Sequence, residues 1–230
     1  MLDGAAVIVT GATREPGRTL VAALAAAGAN VAAVDGSQEL LQALAVEVAG
    51  QGAPGRVLAM AAELAQPGMC RRVVSRATLA FAEIGGLAID AAGDGANPAA
   101  PDETPDPFRD YAADRAAPAA PIDIALSLAA PAVRQFRARG RGRLVFAAMA
   151  EPDAALRRRI AGWAAALDGS GVTANLLLAG GADGAQIATA ARWLMSDASG
   201  GFNGQCLAAG RWDAAMPPDE AARRASAPIA

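Results

Sequence analysis

Residues 7–35 constrain this chain more than any other stretch. Val7-Ile8-Val9-Thr10 is a short apolar run rich in β-branched residues, suited to a buried strand. Gly11-Ala12-Thr13-Arg14-Glu15-Pro16-Gly17 follows as a glycine-bearing turn. An alanine-rich stretch from Arg18 to Ala27 predicts a helix, which Gly28 stops. Val31-Ala32-Ala33-Val34 is a second strand and ends in Asp35. Strand, glycine turn, helix, strand, acid is the order of a dinucleotide-binding βαβ unit. In such a unit glycines let the backbone approach a pyrophosphate, amides at a helix N-terminus hold its charge, and the acid takes the ribose hydroxyls. Gly11, Thr13, Arg14, Gly17 and Asp35 are therefore the first candidate cofactor contacts. An acid at position 35 favours NAD over NADP, because a 2′-phosphate would be repelled.

The alternation continues. Ser37 predicts a cap for a helix running to Gly50, and Arg56–Met60 reads as a third strand. Pro67–Phe81 is a third helix and Leu87–Ile89 a fourth strand. Asp94–Pro107, with prolines at 98, 101, 105 and 107, predicts a loop. A long helical region from Phe108 to Arg139 should kink or break at Pro118, Pro121 and Pro131. Gly142–Ala147, Val172–Leu178 and Gln205–Leu207 are further strands, with helices over Asp153–Leu167 and Gln186–Met195 between them. The pattern predicts a single α/β domain over residues 1–212, a Rossmann-like, doubly wound and mostly parallel sheet of about seven strands. Residues 213–230, frayed from Pro217, read as a flexible tail.

Two absences exclude whole classes of chemistry. The 230 residues contain no histidine, and all 20 basic residues are arginine, so there is no lysine. That removes a histidine triad, a histidine metal site and a Schiff-base lysine. Two isolated cysteines, Cys70 and Cys206, do not make a zinc site and read as reduced thiols of a cytoplasmic protein. A net charge of −3 gives no reason to expect nucleic acid. No apolar run approaches the roughly 20 residues that span a membrane. The run Arg157-Arg158-Arg159 points three ways on a helix and reads as a solvated face.

Thr10-Gly11-x-x-x-Glu15-Pro16-Gly17 resembles the T-G-x-x-x-G-x-G turn of the short-chain dehydrogenase/reductase family, with Glu15 at the middle glycine. Asp90-Ala91-Ala92-Gly93 sits where that family has N-N-A-G, and Gly142-Arg143-Leu144-Val145 looks like its G-R-I-V. Val172-Thr173-Ala174-Asn175 is similar to I-R-V-N, and Ala179-Gly180 to the P-G after it. Trp193–Asp197 and Gly204-Gln205 are similar to F-L-x-S-D and T-G-Q. In order and spacing these matches cover nearly the whole chain, which is identified as a degenerate member of the family. The resemblance adds Glu63, as an acid near adenine, and Gly93 to the cofactor candidates. A carboxylate at position 15 would fill the pyrophosphate's place and repel it, so no cofactor is expected, and NAD if any.

The family's catalytic groups are not carried over. They are a tyrosine acid/base, a lysine four residues later, a serine after strand five and an asparagine on helix four. The serine position falls near Ala148 or Met149, the tyrosine and lysine near Met149 and Asp153, and the asparagine near Pro118. Tyr111, the single tyrosine, belongs by spacing to the start of helix four and reads as a packing residue. The substrate lid after the sixth strand is reduced to Gly180–Ala185.

The resemblance implies that helices four and five pack against a second subunit. Ile122, Leu126, Leu156, Ile160 and Trp163 are the candidate interface residues. The leading expectation is a catalytically inactive subunit that assembles with an active paralogue, as a heterotetramer, in a dehydrogenase/reductase complex, or with itself. One alternative is a non-redox enzyme (cyclisation or dehydration) using Asp94, Asp153 or Tyr111. The other is an NAD-sensing regulator that binds through Asp35.

Overall fold

The computed structural model describes residues 2–91 and 121–229; the side chains of residues 121–126 and of residue 155 lie outside that description. Gly93, Asp94, the proline-rich stretch, Tyr111 and Pro118 therefore fall outside the described residues, as do the side chains of Ile122 and Leu126.

Among the described residues eight strands form one sheet, in the order β3-β2-β1-β4-β5-β6-β7-β8. The strands are β1 (Ala6–Thr10), β2 (Asn30–Asp35), β3 (Val57–Ala61), β4 (Gly86–Asp90), β5 (Gly142–Ala148), β6 (Val172–Leu178), β7 (Gln205–Ala208) and β8 (Ser226–Pro228). All neighbours pair parallel except β7 and β8, which are antiparallel. A parallel sheet must be covered on both faces, and its strands read as unbroken apolar runs. Every residue of β1 and β5 is buried accordingly.

The helices are α1 (Gly17–Ala26), α2 (Gln38–Gly50), α3 (Met69–Phe81), α4 (Pro121–Arg139), α5 (Ala154–Leu167), α6 (Gly184–Leu194) and α7 (Pro218–Ala225). Two cores result. Leu20, Leu24, Leu41, Leu44, Ile187 and Leu194, from α1, α2 and α6, pack on one face with Val9, Val31 and Val145. Val73, Leu128, Phe136, Ile160 and Trp163, from α3, α4 and α5, pack on the other with Ile8, Ile89 and Phe146.

One charged side chain interrupts the apolar β5. The Arg143 guanidinium donates from Nε to the Ser196 carbonyl (3.0 Å) and from Nη1 to the carbonyls of Gly142 (3.0 Å) and Gly171 (3.3 Å). The arginine in the G-R-x-V segment thus ties the bottom of β5 to its neighbours. Burial lowers its pKa, against the pull of Asp197.

Two expectations are corrected. The segment beyond Pro217 is not frayed. Pro218 opens α7, Asp219 and Glu220 occupy its first turn, and Arg223 and Arg224 its last, the distribution that suits a helix dipole. Ala221, Ala222 and Ala225 are buried beneath it, and Trp193 Nε1 donates to the Asp219 carboxylate (2.9 Å). The composition of alanine, proline and charge conceals a short amphipathic helix, and the eighth strand follows from it. Pro131 also does not break α4, which runs through it to Arg139. Pro121 is the first residue of that helix, where a proline loses no hydrogen bond.

Trp163 is fully buried, and its Nε1 makes no hydrogen bond. Trp163→Ala should lower stability by about 3–5 kcal/mol in urea unfolding. Trp163→Phe should cost clearly less, since no hydrogen bond is lost. Leu79, 86% exposed, should tolerate polar replacement within about 0.5 kcal/mol.

Candidate functional site

In the order β3-β2-β1-β4 the chain crosses over between β1 and β4, and ligands of open α/β sheets sit at such a switch point, outside the carboxyl ends of the strands. A groove of about 280 Å³ lies there, lined by Thr10, Gly11, Arg14, Val34, Asp35, Gly36, Ala62–Ala65, Ile89, Asp90 and Leu128. The register explains the meeting: Thr10 pairs with Val34 of β2, and Val9 with Ala88 of β4, so Asp35 and Asp90 extend just past the turn from either side.

Asp35 is held from three directions. Its Oδ2 accepts from the Thr13 amide (3.1 Å) and hydroxyl (2.7 Å), and its Oδ1 from the Gly36 amide (2.7 Å). Partial burial pushes the carboxyl up. The hydrogen bonds from Thr13 and Gly36 and the nearby Arg14 charge outweigh it, so the pKa lies below the usual aspartate value.

Asp90 is the unexpected member. Its side chain is 4% exposed, and its Oδ2 accepts from Arg14 Nε (2.9 Å) and Nη2 (2.6 Å). The Thr10 hydroxyl accepts from the Asp90 amide (2.9 Å), locking the ends of β1 and β4 together. The hydrogen bond to Asp90 raises the Arg14 pKa further, opposed by desolvation and supported by the charges of Asp90 and Asp35.

The turn itself is packed on its own chain. Gly11 has φ +62°, and a Cβ there would overlap the Asp90 carboxylate; a Cβ on Gly17 would overlap the Gly11 carbonyl. Gly11 is thus required by its positive φ and the Asp90 side chain, and Gly17 by close backbone approach. At the start of α1 Pro16 has no N–H, and the Arg18 amide bonds to the Arg14 carbonyl (2.9 Å).

Of the sequence candidates, the groove brings together Gly11, Arg14, Asp35 and Glu63, with Thr13 bonded to Asp35 and Gly17 behind the turn. Glu15 is exposed and is not among the residues that line the groove. The negative charge at the turn is supplied by Asp90 instead. Each residue is visible singly, an acid in place of the first asparagine of N-N-A-G and an arginine in the turn, but nothing in the sequence pairs them.

The positions that the resemblance gives to the family's serine, tyrosine and lysine, Ala148, Met149 and Asp153, carry neither hydroxyl nor amine. Ala148 is buried, Met149 is 40% exposed, and the Asp153 carboxylate caps α5 by accepting from the Leu156 amide (2.7 Å). Asp153 is therefore a structural cap rather than a groove acid. Arg157 pairs with Glu151. Five residues, 179–183, connect β6 to α6. Among the described residues no cluster of His, Cys, Asp and Glu could hold a metal, and no helix is long and apolar enough to cross a membrane. Ile160 and Trp163 are fully buried in this chain's own core and cannot serve a partner; Leu156 is half-buried.

A family model, short chain dehydrogenase, matches residues 5–148. A short chain dehydrogenase/reductase of Macrophomina phaseolina is 37% identical over 91 residues, covering 40% of this chain and 51% of the relative; the match spans about half the relative's length. Levodione reductase superposes with a TM-score of 0.69 at 19% identity, covering 90% of this chain and 96% of the other. A hydroxysteroid dehydrogenase from Escherichia coli gives 0.68 at 20%, over 90% and 96%. YwfH, an NADPH-dependent reductase involved in bacilysin biosynthesis, gives 0.70 at 13%, over 90% and 98%.

Because the Asp35 carboxyl is lowered in the folded chain, its contribution to stability is present above the unfolded aspartate value of about 4 and is lost as pH falls through the folded value. Asp35→Asn should lower the urea midpoint at pH 7, and the gap to the parent chain should close in strong acid. A gap independent of pH would mean that the Asp35 charge contributes nothing.

Proposed function

Since the chain belongs to the short-chain dehydrogenase family, we propose that it is a member without a redox centre of its own, acting as the non-catalytic subunit of a dehydrogenase or reductase complex. The observation that carries this reading is the absence of lysine from all 230 residues. The family's tyrosine works because a lysine beside it lowers its pKa, and no realignment restores that pair here. Ala148 and Met149 at the serine position, Asp153 used as a helix cap and the five-residue β6–α6 connection support the same conclusion. Among the described residues a substrate held there would meet no proton donor, and the short β6–α6 connection offers no lid to exclude water.

Assembly is supported by the outer face of α5. Ala165 and Ala166 are exposed and Ala161 and Gly162 half-exposed, a strip of small residues bordered by Arg158 and Leu156 that lets a second helix approach closely. Ile160 and Trp163 take no part in it.

The groove favours a second role in the same protein, recognition without turnover. Its two ends differ in their fit to a dinucleotide. The Asp35 end suits a ribose, with an apolar wall of Val34, Leu64, Ile89 and Leu128 beside it for a planar base. The Asp90 end does not suit a diphosphate: a buried carboxylate touches the turn, Pro16 lacks an amide, and Arg14 is already paired.

The purified chain should show no oxidation of NADH or NADPH with any carbonyl substrate, and none of the reverse reaction. Native mass spectrometry of protein purified gently from its source should show a second chain of similar size. Turnover by the chain alone would remove the first half of this reading; a homo-oligomer with no partner would remove the second.

A further inference from the structure

We propose that the groove binds an uncharged ribonucleoside and turns nucleoside diphosphates and dinucleotides away. This rests on the reading that the groove recognises a ligand without transforming it.

Three observations converge. The first is size: at about 280 Å³ the groove falls just below the roughly 300–1,000 Å³ usual for ligand pockets. A base and its ribose suit that space better than two linked nucleotides.

The second is the hydrogen-bonding capacity of Asp35. Its two oxygens offer about four acceptor positions, and Thr13 and Gly36 donate three hydrogen bonds. Room remains on Oδ1 for a ribose hydroxyl, and the Thr13 and Gly36 bonds fix the carboxylate's orientation before the ligand arrives.

The third is charge. Asp35, Asp90 and Glu63 line the groove, with Arg14 as the single cation among the described residues that line it. A diphosphate running from Asp35 toward the glycine turn would approach Asp90, whose carboxylate fills the space beside Gly11. Drawing Arg14, itself 62% exposed, onto the phosphate would loosen its two hydrogen bonds to the Asp90 carboxylate, which is 4% exposed. A neutral nucleoside leaves the Arg14–Asp90 pair in place.

The test is isothermal titration calorimetry on the full chain with adenosine, ADP and NAD as probes. Adenosine should bind at least about tenfold more tightly than ADP or NAD in 50 mM salt, a gap that 0.5 M salt narrows by screening. Asp90→Asn should raise ADP affinity about tenfold and leave adenosine within about twofold. Glu63→Gln, at an exposed position that folding does not depend on, should raise ADP affinity by a smaller factor. Asp35→Ala should abolish adenosine binding. ADP or NAD binding as tightly as adenosine overturns the proposal, as does discrimination unchanged in both Asp90→Asn and Glu63→Gln. A folded chain that binds none of the three probes overturns it too, while catalytic silence stands. Turnover of NADH removes the silent-subunit reading and this proposal together.

Discussion

The reversal of strand order between β1 and β4 is the constraint on which the rest of the structure depends. Because β1 lies between β2 and β4, the turn after it is flanked by the carboxyl ends of two strands that run parallel to it. The hydrogen bond from the Asp90 amide to the Thr10 hydroxyl fixes how far those ends stand apart. Everything in the groove follows from that spacing. Asp35 arrives from β2, Asp90 from β4, and Thr13 and Arg14 from the turn between them. Each acid finds its donor in the turn, so two carboxylates share one small space without facing each other unpaired.

The glycine turn shows how a motif can persist after its usual tenant no longer fits. Gly11 and Gly17 are ordinarily explained by the close approach of a phosphate. In this chain each is also demanded by its own protein: Gly11 by the Asp90 carboxylate and Gly17 by the Gly11 carbonyl. A larger residue at either place would force the start of α1 away from β1. Selection on the fold alone is therefore enough to hold both glycines, and their presence is weak testimony for a dinucleotide.

The fold was largely legible because its signals are local and repeated. Strands such as Val172–Leu178 and helices such as Gln38–Gly50, with Ser37 at its cap, announce themselves by composition and capping. The end of the chain was not legible, since an eight-residue helix rich in alanine and charge looks the same as a solvated tail until Trp193 is seen to hold Asp219. In the site, Asp35 and the glycines could be read from spacing. The Arg14–Asp90 pair could not, because the partners lie 76 positions apart and only the strand order brings them together. Glu15 was over-read for the converse reason: a charged side chain in a motif need not point into the groove the motif builds. Ile160 and Trp163 show the same limit on a helix, where apolar character alone does not tell an inward face from one left for a partner.

The last strand has a consequence for how copies of the sheet can meet. β8 is three residues long, runs against β7 and ends on Pro228, which has no N–H to donate. Backbone pairing is thus weakened at this end of the sheet, and among the described strands the longer free edge is β3. A sheet with a single adhesive edge can join one copy of itself about a two-fold axis, and then it has no edge left to offer. Edge-to-edge pairing along β3 would therefore end at a pair rather than grow into a fibre.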